Sequence, residues 1–385
     1  MSVHVDIVGP ASVGNVSQGL APSDASPGGQ RIDYVDVARG MLILLMFAVH
    51  AATPCASLIR ERIQGLWILE IATTGFAMMA GYTVALRYES RACNAPTRRL
   101  WKRCGELLVV MFWSNLVLSG AKLYAEHRLG FDMFPRWFLG LFTFHTEYNI
   151  SGVLLSLALL LPVLSIILWL EGRVGGWTVW GVFAVLLSST VVLKATEAGP
   201  PAFDHLKTIL LVGPGGFAVL EFVGYGLLGF ASARMAQNCR NVEWPFRYVV
   251  AAGFGITAVS YVVMNAALAT IGPQSLAAVI WGALNPFVRA MGMFLGVLVL
   301  AGAYLKGIQR LGDFEFISLL GRYSLFAFVF HRFVAQAMIT AFGLQGGGLP
   351  TFLLVFSLIT VLTYLVCRLR SHNILLNRLL VRCYL

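Results

Sequence analysis

Ten apolar runs, most of them close to twenty residues long, follow one another through the chain at about 35–54, 66–86, 105–124, 151–170, 177–193, 208–232, 247–269, 279–304, 317–342 and 351–367. A helix needs roughly 20 residues to cross a hydrocarbon layer at a rise of about 1.5 Å per residue. Inside such a layer every backbone polar group must find its partner within the protein, which leaves helices as the natural form for runs of this length. The sequence therefore predicts an all-α, polytopic membrane protein with about ten transmembrane helices. Composition agrees: 58% of the residues are hydrophobic, 12% are charged, and the mean hydropathy is +0.77. The stretch FDMFPRWFLGLFTF (131–144) is too short to span and reads as an amphipathic or re-entrant helix.

The formal net charge of +10 would point to nucleic acid in a soluble chain, but here the cations cluster between the apolar runs. The positive-inside rule accounts for that placement, and no nucleic-acid partner is expected. With the N-terminus inside, the loops on the cytoplasmic side hold 17 of the 28 Lys and Arg residues, against 7 on the other side. Both termini are accordingly expected in the cytoplasm. Residues 1–30, with SDASPGGQ near their end, have neither an apolar core nor the cationic start and short apolar region of a signal peptide. They read as a disordered cytoplasmic tail, followed by a transmembrane domain over 31–370 and a short cytoplasmic C-terminal tail over 371–385.

Five of the six cysteines (Cys93, Cys104, Cys239, Cys367 and Cys383) fall at or near the reducing face, so no disulfide framework is expected. None has metal-ligand spacing, and no metal or permanently bound cofactor is expected. GPGGFAVLEFVG (213–224) sits in an apolar span with no strand before it, so its glycines serve close helix packing rather than a dinucleotide.

Ionisable residues inside the apolar runs carry the functional signal, because a charge at the bilayer centre costs about 2.5–3.5 kcal/mol on insertion scales. In DYVDVARGMLILLMFAVHAA (33–52), Arg39 and His50 are eleven residues apart. On a helix that spacing is three turns plus about 20°, with a rise of about 16.5 Å, so both lie on one face. Asp36 stands one turn from Arg39 as its plausible partner. In LLGRYSLFAFVFHRF (319–333), Arg322 lies near the inner surface, with His331 and Arg332 deeper. Glu70, Glu221 and Arg289 also fall within spans, and Arg289 is the obvious mate for Glu221. Neutral histidine titrates near ambient pH and is a common general base. Two histidines, each on a helix with an arginine nearer the cytoplasm, point to a route through the protein. His145 and Glu147 in FTFHTEYN are polar candidates for binding at the outer surface.

These residues carry a resemblance. The R-x10-H spacing within YVDVARGMLILLMFAVH resembles the first-helix motif of the acyltransferase 3 family of integral membrane O-acyltransferases. TTGFAMMAGYTVALRY (73–88) resembles that family's second helix, TRRLWKRCGELL (97–108) its basic entry into the third, and FISLLGRYSLFAFVFHRF (316–333) its late LG-x-x-S-x-x-x-[YF]-x-x-H segment. TRRLWKRCGELLVVMFW and YNISGVLLSLALLLPVL are similar to the branch containing the succinyltransferase of osmoregulated periplasmic glucans. The family's R-x-x-R before the third helix is not matched in register, since Arg99 is followed by Lys102 and then Arg103.

The resemblance implies an enzyme of the bacterial inner membrane that moves an acyl group from cytoplasmic acyl-coenzyme A, acetyl or succinyl, to a hydroxyl of a periplasmic or surface carbohydrate or lipid-linked sugar. His50 is then the catalytic histidine, able to deprotonate the acceptor or to carry the acyl group, with Arg39 and His331 beside it in the reaction. Arg322, Arg289 and the cluster Arg98, Arg99, Lys102 and Arg103 are candidates for the coenzyme's phosphates, and Asp36, Glu221, His145 and Glu147 for the acceptor. A secondary transporter or exporter of a sugar or lipid is the rival class, since buried Arg, His and Glu also mark proton relays. The acyl group, the acceptor and the oligomeric state stay open.

Overall fold

All ten apolar runs carry helix in the computed structural model, which describes residues 33–64, 71–88, 95–125, 133–143, 151–195, 218–240, 246–271, 276–308, 315–342 and 346–373, with 204, 207, 210, 211, 375 and 377. In chain order the elements are α1 (Asp33–Ala51), α2 (Ser57–Gln64), α3 (Ile71–Arg87), α4 (Ala95–Ala125), α5 (Phe134–Thr143), α6 (Ser151–Val174) and α7 (Thr178–Ala195). They continue with α8 (Val219–Arg240), α9 (Phe246–Ile271), α10 (Leu276–Ile308), α11 (Phe316–Arg322), α12 (Ser324–Phe342) and α13 (Leu349–His372). Among the described residues there is no strand, only a single bridge between Cys55 and Gly347. Both proposed tails, and Glu70, His145 and Glu147, lie outside the described residues, apart from the start of the C-terminal one.

Four described helices are both long and apolar enough to cross a membrane: Asp33–Ala51, Gly152–Val174, Ile280–Gly307 and Leu349–His372. A fifth arises if α11 and α12 count as one bent span. Among the described residues the other runs do not meet that length and hydropathy test, for local reasons. The helix α3 has 17 residues, and the apolar parts of α7 and α9 are confined to Thr178–Leu193 and Ala251–Val263. The helix α4 carries the basic cluster Arg98–Arg103 in its opening turns. The amphipathic reading of 131–144 becomes α5, whose Trp137 packs against Gly120, Phe112, Leu116 and Leu123 of α4. The helix α2, SLIRERIQ, had no apolar run to announce it.

Small residues bring the central helices into backbone contact, the usual means of association where lipid offers no hydrophobic drive. A Cβ on Gly81 would strike the Gly226 carbonyl, and one on Gly229 the Met78 carbonyl, so α3 and α8 pack backbone to backbone. Gly40 and Gly321 do the same for α1 and α11, through the Ile317 and Asp36 carbonyls. Arg234 of α8 then ties off the end of α3. It donates to the Ala85 and Tyr88 carbonyls, each at 3.0 Å, and pairs with Glu171 of α6 at 2.8 Å. Those carbonyls have no intrahelical donor so near a helix end, and a guanidinium fork serves both.

The run 317–342 differs most from its sequence reading. It breaks at Tyr323, where α11 and α12 meet at 96°. No proline is involved, and the backbone keeps its partners: Tyr323 N donates to Leu319 O at 3.1 Å, and Ala327 N to Tyr323 O at 2.8 Å. Gly321, held against α1, lets α11 lie flat on its neighbour before the chain turns into the bundle.

Candidate active site

One end of the bundle gathers the end of α3, the start of α4, the α11–α12 break and the end of α13 around a cavity of about 630 Å³. Among the described residues, its lining carries Arg39, Arg87, Arg99, Lys102, Arg103, Arg322 and Arg370 against a single acid, Glu106. The break supplies five consecutive lining residues, Arg322 to Phe326, and with them the N-terminal end of α12. A helix start presents unpaired N–H groups and a partial positive charge, which adds to the pull of the guanidinium groups on an anion.

These cations differ in how they are held. Arg99, Lys102, Arg103 and Arg322 are exposed at the mouth, where Lys102 and Arg103 share Glu106. Arg39, farther in, donates from Nη2 to Thr83 Oγ1 at 2.8 Å, and that hydroxyl donates to the Met79 carbonyl at 2.6 Å. Arg370 is buried, with its guanidinium 4.8 Å from the Tyr323 ring centre and 5.5 Å from that of Phe326, and its Nε donates to Asn377 Oδ1 at 3.1 Å. Aromatic faces of this kind fix a cation without neutralising it.

Phe76 and Phe328 close the inner wall, with ring centres 6.2 Å apart. Behind Phe328 stands His331, wholly buried, its ring 5.8 Å from Phe328 and 5.0 Å from Phe47. The ring of His50 lies 5.1 Å from it, and Arg332 Nη1 is 2.6 Å from His50 Nδ1. His331 Nδ1 is 3.0 Å from the Ala327 carbonyl, while its Nε2 is buried with no hydrogen-bond partner among the described residues. Two imidazoles and one cation thus meet one side chain beyond the cavity, with His331 wholly buried against Phe47 and Phe328 and with His50 and Arg332 half-buried.

The fold brings together most of the residues singled out in the sequence. Arg39 and His50 lie along α1, with Arg39 on the cavity wall and His50 in the centre behind it; His331 joins His50, and Arg322, Arg99, Lys102 and Arg103 frame the mouth. Arg98 is exposed near the mouth without lining it. Asp36, Glu221 and Arg289 also lie off the lining: Asp36 is buried in α1, Glu221 opens α8, and Arg289 is midway along α10. His145 and Glu147 are outside the described residues.

Three contributors are not singled out by the sequence: Arg87, Arg370 and Phe328. For Arg332 the sequence gives depth in the run but not its contact with His50. A signal for Arg370 was present: Val355, Ile359, Thr363, Cys367 and Arg370 share the buried stripe of α13 at helical spacing. Among the described residues, no three His, Cys, Asp or Glu side chains come together as metal ligands.

No curated protein matches the chain. The sequence model of the acyltransferase 3 family, an acyltransferase domain, matches residues 32–369, which takes in the broken helix, both histidines and every cavity-lining residue except Arg370. The helices long enough to cross a bilayer fit that assignment, and the chain belongs to the acyltransferase 3 family of membrane acyltransferases.

Proposed function

We propose that this membrane acyltransferase takes its acyl group from coenzyme A and passes it to a hydroxyl of a periplasmic or surface carbohydrate, from the bacterial inner membrane. The observation that carries the reading is the order of groups along one path: exposed cations, then Arg39 and Arg370, then Phe328, then His50 with His331. A coenzyme A thioester has its charges in the same order. Its phosphates suit the mouth, its long uncharged arm suits the apolar wall of α3, α6 and α12, and its reactive carbon arrives last. At about 630 Å³ the cavity falls within the usual range for small-molecule sites.

Acyl transfer needs three things at the inner end: a group to take the hydroxyl proton, a donor for the oxygen that gains charge, and exclusion of water so that the thioester is not hydrolysed. The histidine centre supplies titratable nitrogens, and Phe47 and Phe328, the latter backed by Phe76, shield the His331 ring from water. Movement of Phe328 lets the thioester reach the rings.

Purified protein in lipid nanodiscs, offered a panel of acyl-coenzyme A donors with glycan acceptors, is expected to release coenzyme A thiol only when both substrates are present. A protein that releases no thiol with any pair, yet moves sugar or lipid across vesicle membranes, would belong to the transporter class instead.

A further inference from the structure

We infer that Arg332 is a positioning residue that fixes the tautomer of His50, so that His50 enters the reaction as a hydrogen-bond donor and the proton-accepting nitrogen is Nε2 of His331. The inference rests on the reading of His50 and His331 as the reaction centre and goes beyond it by dividing the labour between them.

The argument is one of donors and acceptors. A guanidinium has five N–H donors and no acceptor. Its Nη1 lies 2.6 Å from His50 Nδ1, which must therefore present a lone pair. Neutral His50 then carries its proton on Nε2. In His331 the logic reverses. A backbone carbonyl only accepts, so the 3.0 Å contact with Ala327 O places the proton on Nδ1. The lone pair of His331 is left on Nε2, a buried atom with no partner among the described residues. Two rings 5.1 Å apart thus hold opposite tautomers: one offers an N–H and the other a lone pair. The Arg332 and His331 backbones are adjacent, so one turn of α12 sets both.

The reaction balances on these two atoms. As the acceptor hydroxyl oxygen bonds to the thioester carbon, its proton passes to His331 Nε2. The carbonyl oxygen gains charge and is met by His50 Nε2–H. The carbon–sulfur bond then breaks, the sulfur leaves with its electron pair, and it takes the proton back from His331. Ester and free thiol result, both histidines regain their starting tautomers, and no further reactant is required. His50 cannot take the proton at Nε2 while that nitrogen is already protonated, and its other nitrogen faces Arg332.

Solid-state nitrogen and carbon NMR on histidine-labelled full-length protein in bilayers reads the tautomers directly, with signals assigned by their loss in His50→Gln and His331→Gln. The expected result is Nε2–H with unprotonated Nδ1 for His50, and the opposite for His331. Arg332→Lys, still a pure donor, is expected to keep the His50 signal, and Arg332→Met to shift it toward Nδ1–H while leaving His331 alone. A wild-type His50 protonated on Nδ1, or one unmoved by Arg332→Met, would overturn the proposal. Wild-type spectra decide the matter even if Arg332→Met fails to fold.

Turnover supplies the second arm. Glutamine keeps an N–H donor but cannot act as a base, so His50→Gln should stay within about tenfold of wild type. His331→Gln should fall by about 10²-fold or more. The reverse ranking overturns the division of roles. A protein with the expected tautomers that transfers no acyl group would instead refute the acyltransferase reading of the site and leave the hold of Arg332 on His50 standing.

Discussion

The mouth of the cavity and the centre behind Phe328 both rely on basic side chains, but they hold them under opposite conditions. At the mouth, Arg99, Lys102, Arg103 and Arg322 stand in water, and two of them share one glutamate. In the centre, Arg332 is directed onto a neutral ring nitrogen, and His331 has no exposed surface. Screening makes exposed charges individually weak and interchangeable, so a set of them works as a diffuse attractor. Burial removes the screening and makes each donor and acceptor count, because a buried polar atom that loses its partner bears the full desolvation cost. The first region is suited to collecting an anion and the second to moving one proton.

That contrast fixes a ranking of effects. The largest belongs to the proton-accepting position: His331→Ala is expected to lower turnover by about 10²–10⁴-fold at saturating substrates, the usual worth of a general base. Size-exclusion profiles of the purified variant guard against misfolding, and a turnover near wild type would remove the centre from the chemistry. Next comes His50→Ala, expected to cost about 10²–10³-fold in kcat, the loss of one donor to a charged oxygen, with the donor KM little changed. A rise in KM alone would move His50 from the reaction to binding.

The intermediate position is Arg39, held by Thr83 at the inner wall. Arg39→Ala is expected to raise the donor KM by about ten- to a hundredfold, the range for a hydrogen bond to a charged group, with kcat much less affected. Arg39→Lys should recover only part of this, because the ammonium keeps the charge but lacks the planar fork. Equal kcat and KM effects would place Arg39 in the transition state and blur the boundary between the two regions.

The smallest effect is expected at the rim. Neutralising Arg99 and Lys102 together should raise the donor KM only a few-fold, at about 0.2–1 kcal/mol per exposed charge, and leave kcat intact. The difference from wild type should shrink further at about 1 M salt, where the screening length falls to roughly 3 Å. A rim variant as damaging as His331→Ala would mean that the mouth and the centre are one site.

The class of the fold was legible in the sequence because membrane burial leaves a crude signal. Twenty apolar residues in a row have few other uses, and all ten such runs carry helix. The alignment of Arg39 and His50 was equally legible, since a spacing of eleven residues puts them on one face of any straight helix, and α1 runs unbroken through both. The basic cluster at the start of α4 was readable as charge. Its arrangement was not: Arg99, Lys102 and Arg103 line the cavity and Arg98 does not, which depends on how α4 is rotated against its neighbours.

Sequence order alone thus determined a helical membrane protein, the shared face of Arg39 and His50, and a cationic end to the bundle, all of which follow from periodicity and composition within single segments. Only the tertiary structure decided that the run 317–342 would break at Tyr323, that Arg370 would turn from loop charge to cavity wall, and that Arg332 would meet His50 across 282 positions of chain. The reason is physical. Periodicity reports how residues on one helix stand to one another, whereas a tautomer or a bend is set by the donors, acceptors and backbone of another helix, and contacts such as Gly40 with Ile317 and Gly321 with Asp36 exist only once the helices have packed.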